Sequence, residues 1–241
     1  MTTALKALAW TGAAAAGAAV LLVQAQSTIE IDPESLQGRT ESAIAEFRAA
    51  VALEPNLAHG AELFRGCAAC HGDNGGGTDD GAVPVIAGQH VSVLMKQLVD
   101  FRYDRRWSER MQDAAKQHEL AGPQDLLDVA AYAESLRRPP PRTGGDALPL
   151  DGQRVYYRDC EVCHGRLGEG ELRRLRPRLA GQHYRYLVKE LNETATGERP
   201  GMDPEHVWMI GALSGAERAA VANYLSRLSP GFSAEKPASP P

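Results

Sequence analysis

The sequence predicts an all-α fold built as two tandem domains of similar size, and three observations carry that prediction. First, one half recurs in the other in fixed register: Cys67 and Cys160, Cys70 and Cys163, His71 and His164, and Pro84 and Pro177 each stand 93 positions apart. The segment "AGQH" at Ala87–His90 returns at Ala180–His183 with the same offset, as does Leu98 at Leu191, and the offset drifts to 92 at Tyr132 and Tyr224. Second, the last element of each copy carries an apolar stripe at helical spacing: Val129, Tyr132, Ala133 and Leu136, then Val221, Tyr224, Leu225 and Leu228. Third, neither copy holds a run of alternating β-branched residues of the kind that makes a strand.

Composition bounds the class. With 43% hydrophobic and 24% charged residues among 241, the chain has the make-up of a folded soluble protein. A net charge of -5 gives no footprint for nucleic acid, and the local basic run "RRLRPR" (Arg173 to Arg178) reads most simply as a solvated loop.

In chain order, residues 1–25 have one lysine, an Ala/Gly/Leu/Val run and small residues at Val23 and Ala25, which reads as an export signal, with an uncleaved membrane anchor as the alternative. An exported protein works in an oxidising compartment, where exposed thiols do not stay free. Residues 26–56 form an extension in which Ile44, Phe47 and Val51 mark one helix, expected to pack on the first domain or to dock a partner. The first domain spans 57–136, with a helical stretch "VSVLMKQLVDF" and Pro123 suited to the first turn of its last helix. A linker follows at 137–150, where consecutive prolines and then Gly-Gly cannot continue a helix. The second domain spans 151–228, where Ser214 with Glu217 makes a capping box, and 229–241 reads as a disordered tail. Domains of about 80 residues have thin cores, which a large apolar cofactor would help to fill.

Both copies read Cys-x-x-Cys-His and together use all four cysteines, the attachment signature of c-type haem. In that chemistry Cys67, Cys70, Cys160 and Cys163 bond the haem vinyl groups as thioethers, and His71 or His164 takes one axial face of the iron. Structural zinc normally gathers its second ligand pair nearby, whereas these pairs lie 93 residues apart. A thioredoxin-like dithiol would want a βαβ setting that is absent here.

The sixth ligand separates carrier from enzyme, because a methionine thioether closes the iron whereas an open position admits a reactant. Met111 lies between "AGQH" and the last helix and is the expected ligand of the first domain; Met95 falls on the helical stretch and reads as core packing. In the second domain Met202, 91 positions after Met111, is expected, with Met209 as the competitor. His206 and His118 are outside alternatives whose simpler reading is a solvent-facing side chain. His90 and His183, beside a Gly-Gln turn, read as structural residues and not ligands. Pro84 and Pro177, each 13 positions past its histidine, are placed for a backbone carbonyl to accept the imidazole N–H. Glycines in "GDNGGG" and "GRLGEG" would let backbone pass close to the macrocycle, or form plain turns.

With these residues in view, the chain resembles the tandem dihaem cytochromes of the cytochrome c4 family, two class I cytochrome c domains fused head to tail, over roughly Leu57 to Leu228. The two "CxxCHG" motifs, the prolines before "IAGQH" and "LAGQH", the aromatic-ended helices and the intervening methionines carry the resemblance. It implies two covalent haems with iron held by His71 and Met111, and by His164 and Met202. It also implies a periplasmic electron carrier, soluble or membrane-associated. Such a carrier has no substrate of its own and passes electrons from a membrane cytochrome complex or a dehydrogenase to a terminal oxidase or reductase. The rivals are a dihaem oxidoreductase acting on a sulfur compound or a peroxide, and a cytochrome subunit of a larger complex docked through the N-terminal helix. The first domain has 7 basic and 12 acidic residues and the second 12 and 11, an asymmetry that could orient partners or be incidental.

Overall fold

A computed structural model describes residues 29–116, 119–141 and 151–229. The proposed leader, most of the linker, nearly all of the tail, and His118 therefore lie outside the described residues. Within them the protein is helical, its only β pairing an isolated bridge between Glu171 and Arg176.

The chain enters through a 3-10 turn, Pro33–Leu36, and helix α1, Glu41–Val51, capped by the Thr40 side chain on the Ala43 N–H. Leu36, Ala43, Phe47 and Ala50 are buried against α3 and α5, so the extension packs on the first repeat. Asp100, inside α3, clasps it: the carboxylate accepts from Arg39 Nε at 3.1 Å and also meets Lys96. Burial alone would raise the Asp100 pKa, but Lys96 and Arg39 outweigh it and hold the carboxyl below its ordinary value.

The first repeat consists of α2 (Leu57–His71), α3 (Val91–Arg102), α4 (Glu109–Ala115) and α5 (Pro123–Ser135). Its counterpart consists of α6 (Gly152–Asp159) with α7 (Glu161–His164), then α8 (Tyr184–Ala195), α9 (Pro204–Gly211) and α10 (Gly215–Arg227). First and last helices cross at a glycine in each. A Cβ on Gly60 would collide with the Asp128 carbonyl, and one on Gly152 with the Ala220 carbonyl, so only glycine lets the helices approach this closely. One turn further, Phe64 meets Tyr132 with ring centroids 5.2 Å apart and Tyr156 meets Tyr224 at 5.6 Å.

These crossings stand in a different register from the cysteines. Gly60 and Gly152, like Phe64 and Tyr156, are 92 positions apart, whereas the cysteines are offset by 93. One extra residue in the second copy would turn everything after it by about 100° on a continuous helix. The helix accordingly breaks at Cys160, between α6 and α7, where the first copy runs unbroken through α2.

The two repeats face each other across a pseudo-twofold interface built from "AGQH". Gln89 donates to the Arg178 carbonyl at 2.9 Å and accepts from the Arg178 N–H at 2.8 Å; Gln182 does the same with Val85, at 2.8 and 2.9 Å. His90 Nε2 donates to the Glu169 carbonyl at 2.7 Å and His183 Nε2 to that of Gly76 at 2.8 Å. Arg138 lies between the halves, donating at 3.0 Å to both Ala87 and Ala180 carbonyls. Apart from Arg138, every partner in one half has its counterpart 93 positions away in the other.

Candidate haem sites

Each candidate site starts at the end of a helix. In α2 the run Cys67-Ala-Ala-Cys70-His71 fills the last turn, and Gly72 ends it at φ 75°. The returning chain then seats the histidine: His71 Nδ1 donates to the Pro84 carbonyl at 3.0 Å, and His164 Nδ1 to that of Pro177 at 3.1 Å. Holding the proton on Nδ1 leaves Nε2 with its lone pair free to bind a metal. Burial lowers the pKa of His71 and pushes that of His164 down to about 4, so both imidazoles are neutral, the ligating form, at physiological pH.

The glycines play a part that sequence alone left undivided between macrocycle contact and plain turn. A Cβ on Gly77 would strike the Val83 carbonyl, and one on Gly170 the Arg176 carbonyl. They let the loop after each motif press on the segment that carries the seating proline, and Gly77 N–H and Gly170 N–H return to the His71 and His164 carbonyls, each at 2.8 Å.

The thiols do not suit a redox dithiol. Desolvation pushes Cys67 up to about 11 and Cys160 up to about 12, whereas a reactive pair needs a lowered pKa. Among the described residues no group of three or more His, Cys, Asp or Glu side chains is arranged to hold a metal ion, so the cysteine pairs do not converge on a zinc site.

Buried polar atoms test the fit of a haem directly. Arg138 Nη2 and Arg178 Nε, both at the interface, find no acceptor among the described residues, and burial, then the nearby Arg178, pushes the Arg138 guanidinium down to about 9. A buried guanidinium without an anion is costly, and carboxylates of the kind a haem carries are the acceptors these donors suit.

The expected sixth ligands are placed as follows. Met111 is the third residue of α4 and half-buried; Met202 lies in the turn before α9, and Met209 late in α9. The expectation of a solvent-facing His206 fails: its ring stands 6.3 Å from that of His164, centroid to centroid, and its Nδ1 is buried with no partner. Met95 is fully buried in the core. His90 and His183 point across the interface to backbone carbonyls, and with Gln89, Gln182 and Arg138 they form a connection that the sequence signalled only as an unexplained repeated "GQH".

Comparison with known proteins agrees with this layout. The family model described as "Cytochrome c" matches twice, over residues 57–137 and 150–229. The chain is 36% identical to cytochrome c4 of Thiocapsa roseopersicina over 181 residues, covering 68% of this chain and 87% of that one. It is 32% identical to the thiosulfate dehydrogenase electron acceptor of Stutzerimonas stutzeri over 174 residues, covering 67% and 78%. The solved structure of reduced recombinant cytochrome c4 from Pseudomonas stutzeri superposes with a TM-score of 0.64 at 25% identity, over 73% of this chain and all of that one. Two matched segments, each with its own cysteine pair and carbonyl-seated histidine, mean that this chain belongs to the cytochrome c family, as a tandem electron carrier of the cytochrome c4 type with two covalently attached c-type haems.

Proposed function

We propose that the protein is a periplasmic shuttle that moves single electrons between respiratory redox proteins and has no substrate chemistry of its own. Its donor would be a membrane cytochrome complex or a dehydrogenase, and its acceptor a terminal oxidase or reductase. When bound, each haem supplies a one-electron iron couple. The chain attaches it through Cys67 and Cys70, or Cys160 and Cys163, binds the iron through His71 or His164, and offers Arg138 and Arg178 to its carboxylates. Met111 closes the first iron in this reading.

The observation that carries the proposal is that each histidine seat is bonded to the other repeat. The Pro84 carbonyl accepts a hydrogen bond from His71 Nδ1, and its neighbour Val85 exchanges two hydrogen bonds with Gln182; Pro177 and Arg178 do the same with His164 and Gln89. A scaffold that ties the two seats into one interface suits transfer between them more than binding of a reactant. Among the described residues no helix is long and apolar enough to cross a membrane.

A narrower reading has specific support: similarity to a thiosulfate dehydrogenase electron acceptor favours a dehydrogenase that oxidises a sulfur compound as the donor. The test is intact mass with anaerobic redox titration of the purified protein, followed by addition of candidate donors. Two haems, two electrons per chain and no carbon monoxide binding when reduced are expected. Turnover of thiosulfate or peroxide by the isolated protein would overturn the carrier reading.

A further inference from the structure

We propose that His206, and neither Met202 nor Met209, is the sixth iron ligand of the second haem, making that centre bis-histidine beside a histidine–methionine first centre. The inference rests on the dihaem reading above and concerns what closes one of its two irons.

Two independent observations point to it. The first is the distance between the rings. A metal–imidazole bond of about 2.0 Å, with about 1.1 Å more from nitrogen to ring centre, sets two imidazoles on opposite sides of one metal with centroids about 6 Å apart. The His164 and His206 centroids are 6.3 Å apart, with ring planes inclined at 52°. That is too far for a stacking contact of much strength and right for one intervening atom. His164 is already held by Pro177 through Nδ1, which leaves its Nε2 for that atom. His206 Nδ1 is buried and meets no donor or acceptor among the described residues, so the ring is committed to this place without any hydrogen bond at that atom to account for it.

The second observation is the position on the helix. Met111 is the third residue of α4, after Ser108 at the cap, and His206 is the third residue of α9, after Asp203 at the cap. Corresponding helices of the two repeats therefore present these two side chains from the same turn. Met202 precedes the α9 cap, and Met209 stands nearly a full turn further along. Counting residues favours Met202 because the loop lengths happen to agree; the start of the helix decides otherwise.

Replacing a thioether by a second imidazole removes the ligand that raises the iron potential. The second haem then becomes the lower-potential site, and an electron entering there runs downhill to the first. The two halves, alike in fold, thereby acquire a direction.

The experiment uses the holoprotein, with intact mass establishing two haems. Near-infrared magnetic circular dichroism and EPR of the oxidised protein are expected to show one methionine-ligated and one bis-imidazole low-spin centre, so that the methionine-to-iron band has half the intensity expected for two. His206→Met should double that band and raise the lower of two midpoint potentials while leaving the higher unchanged. Met202→Leu and Met209→Leu should alter neither. Two methionine-ligated centres in the unaltered protein, with one lost in Met202→Leu or Met209→Leu, would overturn the inference and leave the dihaem carrier standing. A mass with fewer than two haems would remove both. His206→Met retains a ligand, and so reports even if His206→Ala does not fold.

Discussion

Gly60 and Gly66 lie less than two turns apart in α2 and answer to opposite forces. A methyl on Gly60 would strike the Asp128 backbone, which cannot step aside as a side chain could, whereas a methyl on Gly66 meets nothing within 4 Å. Gly60→Ala is expected to destabilise the protein by about 2–3 kcal/mol, at the upper end of overpacking costs, because two helices must separate. Gly66→Ala, relieving a helix-interior glycine, should stabilise it by about 0.5–1 kcal/mol. Denaturant titration of the two variants decides the matter, and equal effects would mean that the crossing is not glycine-limited. The cysteine–histidine pattern was legible at this scale because attachment depends on a local spacing. The proline carbonyls were legible because the repeat preserves the interval of 13. His206 was legible only as an outside alternative, since nothing local ties a histidine to a ring 42 positions earlier in the chain.

Helix α1 shows how an element is held by buried ions: Glu46 within it pairs with Arg102 of α3, and Arg39 just before it pairs with Asp100. Asp100 receives Arg39 and Lys96 and lies 3.9 Å from Arg105, and its folded pKa lies below the unfolded value of about 3.9. A depressed carboxylate contributes stability that is present above the unfolded pKa and lost as pH falls through the folded value. The extension is therefore expected to stay docked at neutral pH and to loosen below about pH 4, read as faster amide exchange in residues 41–51. Asp100→Asn should loosen it already at pH 7 and flatten the pH dependence; an unchanged profile would show that Phe47, Ala50 and the Glu46–Arg102 ion pair hold the helix without Asp100. The stripe of Ile44, Phe47 and Val51 made this helix readable in advance, since a 3.6-residue period is a local property. The break between α6 and α7 was not readable: it answers a one-residue register shift that appears only when both helix crossings are seen together.

Over the whole molecule, the interface makes two small repeats into one body. Gln89 and Gln182 are buried, and each pairs with the N–H and the carbonyl of one residue in the other half, Arg178 or Val85, so removing both takes the side-chain partner from four backbone groups across the interface, besides the N–H groups of His90 and His183. At about 1–3 kcal/mol for each orphaned group, the double variant Gln89→Ala/Gln182→Ala should uncouple the halves. Calorimetry is expected to resolve two transitions in place of one, with slower electron exchange between the haems after rapid partial reduction. A single transition with an unchanged rate would show that Arg138, His90 and His183 suffice. The basic run "RRLRPR" also takes part: Arg173 pairs with Glu30 at 2.8 Å, and its carbonyl accepts from the Asp32 N–H at 2.9 Å. What reads as a solvated loop is therefore partly a clamp on the extension.

The sequence by itself determined the helical class, the duplication, the haem attachment residues and the family, because each is written in spacings of a few residues or in their recurrence at a fixed offset. Only the tertiary structure decided how the halves meet and which side chain stands across from His164. Those contacts join residues 42 to 107 positions apart, often through backbone atoms that every residue possesses. Side-chain identity says nothing about which carbonyl will be near; the angle at which helices cross, and where each one starts, settles that.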